Sequence, residues 1–271
     1  MLPKNTSSLP IGVFDSGVGG LTVIKSLLKE FPRENFIYLG DTARTPYGSR
    51  SAETIKSYTK EDINFLVQKK VKLIVCGCNT ASAIGLNGLL KNTNIPIIGV
   101  INPMIDMVGK HTASNATVGI LGTRATINSG AYQKKIKTIL PKSKIVDIAC
   151  PLLVPLIEEG WTNNTITRDI LKTYLKPILK NNPQILILGC THYPIIKKAI
   201  SKLLPKTKIL DSGDALATTV SRLLSSKQLI NSQKTTGKIK FFVTDSPTQF
   251  NIIAKIFLSN MKNIKAKQIR L

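Results

Sequence analysis

A chain of 271 residues with 42% hydrophobic content can build two modest cores, and no apolar run in it approaches the roughly 18 residues of a membrane span. Its four cysteines include no CxxC pair, which argues against a disulfide framework and against a structural zinc site. The net charge of +23 comes from lysines spread along the chain beside abundant Asn and Ile, the mark of an AT-biased genome rather than of a polyanion footprint, so nucleic acid is not an expected partner.

Met1–Pro10 is polar and short, with no apolar segment of signal-peptide type, so a cytoplasmic protein with no membrane partner is expected. Pro10–Asp15 reads as a buried strand, followed by the turn Asp15-Ser16-Gly17-Val18-Gly19-Gly20 and a helix over Leu21–Phe31. Phe36–Leu39 is the next strand, opening into the polar, turn-rich loop Gly40–Arg50. Ser51 is placed to cap the helix after it, whose apolar stripe passes through Ile55, Tyr58, Ile63 and Leu66. Val71–Gly77 is a strand, Ala81–Leu90 a helix and Ile95–Val100 a strand. The pattern then restarts. Asn102–Lys110 is a helix, Ala116–Leu121 a strand, Ala125–Ile139 a helix and Ser143–Ile148 a strand. Helices over Leu152–Glu159 and Thr167–Lys180 lead to the strand Gln184–Gly189 and a helix over Pro194–Leu203. Lys208–Leu210, a helix after Asp211-Ser212-Gly213-Asp214, the strand Lys238–Val243, the helix Pro247–Leu258 and a terminal edge strand complete the chain. Alternation of this kind predicts the α/β class with parallel sheets covered by helices, and the restart near residue 101 predicts a second sheet.

Two segments resemble each other. Residues 73–80 read Leu-Ile-Val-Cys-Gly-Cys-Asn-Thr, and residues 186–193 read Leu-Ile-Leu-Gly-Cys-Thr-His-Tyr. Each is an aliphatic run delivering a cysteine to the end of a buried strand, where α/β sheets bind ligands. Cys78 and Cys190 are therefore expected at equivalent places in two similar lobes, facing one cleft. There, backbone N–H groups and helix N-termini favour thiolate. Cys76, inside its strand, and Cys150, before Pro151, read as small buried residues. Matched thiols suit a reaction that removes a proton from one face of a carbon and returns it to the other. Asn79, Thr80, Thr191 and His192 supply short donors beside the thiols for a substrate carboxylate. His192 is one of two histidines; its alternative role is helix capping, and the other, His111, is expected to be solvated. Asp15 is not set in a phosphate loop, since the turn lacks both G-x-G-x-x-G and a P-loop ending. A carboxylate there suits an ammonium group or a proton transfer, or simply caps the turn.

Ile11–Gly20 (IGVFDSGVGG), Tyr38–Gly48 (YLGDTARTPYG), Cys78–Ala81 (CNTA), Gly189–Pro194 (GCTHYP) and Asp211–Gly213 (DSG) resemble the successive motifs of bacterial glutamate racemases. The resemblance implies an enzyme without pyridoxal phosphate, metal or other cofactor that interconverts L- and D-glutamate and supplies the D-form for peptidoglycan. It matches Cys78 and Cys190 to the two thiol acid/bases, the latter acting on L-glutamate and the former on D-glutamate. Asp15, His192 and Glu158 match assisting residues. Asp15, Ser16, Pro46, Tyr47, Gly48, Asn79, Thr80, Thr123, Thr126, Thr191 and His192 match substrate-binding positions. It also implies a discontinuous first lobe, 1–100 plus 211–271, a second lobe over 101–210, an active site in the cleft between them, and a homodimer. Arg124, where a small residue is expected, departs from the pattern; it matters only if its side chain enters the cleft.

With no cofactor to delocalise a carbanion, fixed donors in a dry cleft must stabilise it, and one thiol must be ionised while the other holds its proton. An aspartate or hydantoin racemase shares this plan and differs in cleft size. A dithiol redox enzyme needs cysteines close enough to bridge, and thiols flanking a substrate are too far apart for that. A basic binding protein on the same scaffold would have no use for Cys78, Cys190, Asp15 and His192 together.

Overall fold

Aliphatic runs with no polar face can be buried only between two layers of helix, and the chain uses them that way twice. The computed structural model describes residues 6–89, 93–258, 261 and 264–271. In the first half, β1 (Ile11–Asp15), α1 (Leu21–Glu30), β2 (Phe36–Gly40), α2 (Ala52–Gln68), β3 (Leu73–Cys76) and β4 (Ile97–Gly99) follow one another. Then come α3 (Ile101–His111), β5 (Thr117–Gly122), α4 (Arg124–Asn128), α5 (Ala131–Ile139), β6 (Lys144–Ala149), α6 (Leu153–Glu158), α7 (Thr165–Lys180) and β7 (Ile185–Gly189). The chain ends with α8 (Lys197–Leu203), β8 (Lys208–Asp211), α9 (Ser212–Ser226), β9 (Ile239–Val243), α10 (Pro247–Phe257) and the short edge strand β10 (Ala266–Gln268).

The strands form a six-stranded sheet, β10-β9-β2-β1-β3-β4, and a four-stranded sheet, β6-β5-β7-β8. Every pairing is parallel. Within the first sheet the order β2-β1-β3-β4 repeats the second sheet's β6-β5-β7-β8, so β3 and β7, which carry the cysteine motifs, hold equivalent places. The register aligns their ends. Asp15 pairs with Gly40 and Phe14 with Cys76, while Gly122 pairs with Ala149 and Gly189. Residues just past those ends share a rim, the usual ligand position in parallel sheets. No helix among the described residues is long and apolar enough to cross a membrane.

At the other end of the first sheet, Lys72 is fully buried just before β3. Its Nζ donates to Glu34 Oε2 at 2.6 Å and to the carbonyls of Ser7 at 2.6 Å and Leu229 at 2.7 Å. Glu34 Oε1 in turn accepts from the Asn231 N–H at 2.7 Å. One ion pair thus joins the N-terminal segment, the α1–β2 turn and the connection after α9.

Three helices differ from their sequence reading. The expected helix Ala81–Leu90 is a single π-helical turn, Ala81–Gly85, and its last residue lies outside the described residues. Gly85 lies against Thr59, where a Cβ would fall 2.0 Å from Oγ1, and Gly88 has φ +83°, so packing and a left-handed residue stop propagation. The helix expected over Ala125–Ile139 breaks into α4 and α5 at Gly130, φ +66°. The helix expected over Pro194–Leu203 begins as a 3₁₀ turn, Tyr193–Ile196, before α8. The cap expected at Ser51 forms, accepting from the Thr54 N–H at 3.2 Å. Of the polar N-terminal segment, residues 1–5 lie outside the described residues.

Candidate active site

The rims of the two sheets face each other around a cavity of about 20 Å³ lined by Ser16, Thr45, Pro46, Tyr47, Gly48, Cys78, Asn79, Thr80, Thr123, Val154, Cys190, Thr191 and His192. Both cysteines reach it, from the turns after β3 and β7. Cys78 is buried, its thiol 3.6 Å from Ser16 Oγ, and its sulfur accepts the Ala81 N–H at 3.4 Å. Burial first, then the Asp15 carboxylate, push the Cys78 thiol up to about 12 against the pull of that N–H and of Ser16. Cys78 therefore holds its proton at neutral pH.

Cys190 has a different neighbour. His192 Nδ1 lies 3.8 Å from its sulfur, and His192 Nε2 lies 2.8 Å from Glu158 Oε1 on α6. Burial lowers the imidazole's proton affinity, but the bonds to Cys190 and Glu158 and their charges outweigh it, and His192 is pushed up to about 10. Its ring makes no capping bond, so the capping alternative is set aside. A protonated His192 places positive charge beside the Cys190 sulfur.

Glu158→Gln removes the anion behind this imidazole, so the titration midpoint of His192 is expected to fall from about 10 toward its ordinary 6.5, read from its ring resonances by NMR. A raised folded-state value means the contribution to stability is full below about 6.5 and is lost as pH rises through about 10, so the variant's deficit should vanish at high pH. An unchanged midpoint would show that Cys190 alone, and not Glu158, raises it.

Not every residue expected at the site touches the cavity. Asp15 is fully buried behind it, with Oδ2 accepting from the Gly17 N–H at 3.1 Å and Oδ1 from the Thr191 hydroxyl at 3.2 Å. Burial raises its proton affinity, opposed by the His192 charge and by those donors. Glu158 does not line the cavity and meets it only by its contact with His192. Thr126 is fully buried and its hydroxyl meets Thr80 at 3.2 Å and Thr123 at 2.9 Å. Thr45 and Val154 line the cavity without having been foreseen; Thr45 stood beside the recognised Pro46-Tyr47-Gly48, whereas an aliphatic residue in α6 carries no local mark. Arg124 is exposed and does not enter the cleft. Cys76 and Cys150 are buried structural residues. His111 is exposed, as expected, though Lys208 Nζ lies 3.0 Å from its Nδ1.

The loop carrying Tyr47 and Gly48 is held from beneath. The Tyr47 hydroxyl donates to Asp41 and lies 2.9 Å from Asp62 Oδ2. One hydroxyl proton cannot serve two carboxylates. Burial and the Asp41 charge raise Asp62 well above the carboxylate range, so Asp62 keeps a proton and donates it to the Tyr47 oxygen. Arg44 neutralises the group, with Nε 2.6 Å from Asp41 and Nη1 2.6 Å from Glu61.

Across the cleft the backbones approach closely at two glycines. A Cβ on Gly19 would lie 2.4 Å from both His192 Nδ1 and Thr191 Oγ1, and one on Gly48 would lie 2.6 Å from Thr123 Cβ. Hydrogen bonds close the gap, from Thr22 Oγ1 to the Thr191 carbonyl at 2.8 Å and between the Thr80 and Thr123 hydroxyls at 2.9 Å. The cavity left has room for about one water molecule, so an amino acid reaches the thiols only when the rims part.

Known proteins share this arrangement. The sequence profile of the Asp/Glu/Hydantoin racemases matches residues 11–220. The glutamate racemase of Geobacter metallireducens is 44% identical over 249 residues, 92% of each chain. That of Syntrophus aciditrophicus is 41% identical over 257 residues, 94% of this chain and 95% of the relative. The crystal structure of glutamate racemase from Francisella tularensis in complex with D-glutamate superposes with a TM-score of 0.90 at 38% identity, covering 97% of this chain and 98% of that one. Likeness of this extent, in sequence and in both lobes, leaves one assignment: the chain belongs to the Asp/Glu/Hydantoin racemase family.

Proposed function

We propose that the protein interconverts L- and D-glutamate without a cofactor, moving the α-proton between two thiols. The observation that carries this reading is the pair of cysteines brought from equivalent strand ends to one cavity in unlike electrostatic settings. Cys190, beside the His192–Glu158 pair, is the base toward L-glutamate; Cys78, which holds its proton, returns one to the opposite face. D-glutamate reverses the roles. Asp15 stands behind Cys78 and holds Thr191 in place. Ser16, Asn79, Thr80, Thr123, Thr191 and the Pro46–Gly48 loop bind the substrate. Their short donors stabilise the negative charge that spreads from the α-carbon onto the carboxylate, in a cleft that excludes water once closed.

The division into a lobe of 1–100 plus 211–271 and a lobe of 101–210 belongs to the same reading, because opening requires the two sheets to move as units. So do a cytoplasmic location, a homodimer and delivery of D-glutamate to peptidoglycan synthesis. The positive charge of the chain helps to gather the anionic substrate.

The deciding experiment incubates the protein with L-glutamate in D₂O, without added cofactor, and follows optical rotation and Cα deuterium together, with aspartate in parallel. Inversion with deuterium incorporation for glutamate alone is the expected result. Inversion of aspartate instead would keep the mechanism and change the substrate, and the absence of both would overturn the reading.

A further inference from the structure

Asp211-Ser212-Gly213 takes no part in the chemistry above, yet Ser212 is buried and its hydroxyl lies 3.1 Å from Asn79 Nδ2. On the other side of the same carboxamide, the fully buried Tyr132 hydroxyl donates to Asn79 Oδ1 at 2.6 Å. The Asn79 carboxamide is thus held at both ends, its oxygen by Tyr132 and its NH₂ group by Ser212.

The origins of these two contacts explain their value. Asn79 follows Cys78 at the rim of the first sheet. Tyr132 lies in the first turn of α5, which packs against the π turn Ala81–Gly85. Ser212 begins α9 immediately after β8, where the chain leaves the second sheet. Asn79 is therefore gripped by residues 53 and 133 positions away in sequence, at the place where the two sheets exchange the chain. A free carboxamide presents its oxygen or its NH₂ group with little preference. A substrate carboxylate accepts hydrogen bonds only and is repelled by the oxygen.

We infer that Tyr132 and Ser212 are positioning residues, which through these two hydrogen bonds hold the Asn79 carboxamide in the orientation that offers an N–H to the substrate carboxylate. The inference rests on the reading of Asn79 as a substrate-binding residue. After Oδ1 has accepted from Tyr132 and one N–H has gone to Ser212, the second N–H of Asn79 is left for the substrate. Neither positioning residue lines the cavity, so neither touches the reacting atoms.

The test is a mutant cycle with KM and kcat measured for both enantiomers. Tyr132→Phe and Ser212→Ala are each expected to raise KM roughly tenfold while leaving kcat within about twofold, the signature of lost ground-state binding. Asn79→Ala should raise KM as well, and adding Tyr132→Phe to it should change KM by less than about twofold, because the tyrosine acts only through the asparagine. Multiplicative effects in the double variant would overturn the relay, since a merely structural tyrosine acts independently of Asn79. Unchanged KM in Tyr132→Phe beside a raised KM in Asn79→Ala would overturn the relay and leave the binding role of Asn79 standing. Unchanged KM in Asn79→Ala would remove that binding role and the inference with it. Thermal unfolding of each variant checks that the fold is kept; if Tyr132→Phe fails to fold, Ser212→Ala answers the same question.

Discussion

Cys190→Ala is expected to stop deuterium exchange at Cα of L-glutamate while D-glutamate still exchanges, and Cys78→Ala should show the mirror pattern. On the proposed assignment each thiol serves one face of the carbon. A protein lacking Cys190 has no base for the L-enantiomer but retains Cys78 on the other face, where a proton can leave, exchange with solvent and return with its configuration kept. Inversion needs both thiols and should fall by about 10³-fold or more in either variant, since positioned acid/base groups contribute 10²–10⁴-fold each. The two variants need not lose equal activity. Cys78 must be deprotonated against a thiol value of about 12 before it can act as a base, whereas Cys190 has the His192 cation beside it. Chiral chromatography with mass spectrometry reads exchange and inversion in one sample. Undiminished inversion in either variant would refute the two-thiol mechanism, and a swapped exchange pattern would reverse the assignment of faces.

Lys72→Met is expected to destabilise the fold by about 3–5 kcal/mol, measured by urea unfolding, with little change in the activity of the molecules that remain folded. The substitution keeps an unbranched side chain of similar length. It leaves the Glu34 carboxylate buried without its cation and the carbonyls of Ser7 and Leu229 without their donor. Glu34→Gln in the Lys72→Met background should recover part of the loss, because it removes the uncompensated charge while the amide oxygen can still accept from the Asn231 N–H. A deficit in Lys72→Met below about 1 kcal/mol would show that water reaches the site when the cation is removed, as at an exposed pair. Because the ion pair lies at the opposite end of the first sheet from the thiols, any change in activity should follow the unfolded fraction.

Recognition of the catalytic outline depended on local chemistry. An aliphatic run followed by Gly-Cys marks a strand end wherever it occurs, and two such runs in an alternating pattern imply two sheets with matched rims. The π turn after Cys78 and the break at Gly130 escaped the pattern because apolar spacing alone does not separate a helix from a turn that buries the same residues. Gly85 is determined by Thr59, a residue 26 positions earlier, and only packing reveals it. Likewise the resemblance to glutamate racemases placed Glu158 at the site but could not say that it lies behind His192 rather than on the cavity.

The sequence by itself determined the class of fold, the two cysteines and the short polar residues that follow each of them, since strand burial and turn chemistry act over a few neighbouring residues. Only the tertiary structure decided which partner each ionisable group meets. The unlike settings of Cys78 and Cys190, the hold of Tyr132 on Asn79 and the cleft closed to about one water all arise where one sheet's rim faces the other's. Periodicity says which face of an element is buried; what that face is buried against depends on how the sheets come together, and proton affinities follow from the charges and donors found there.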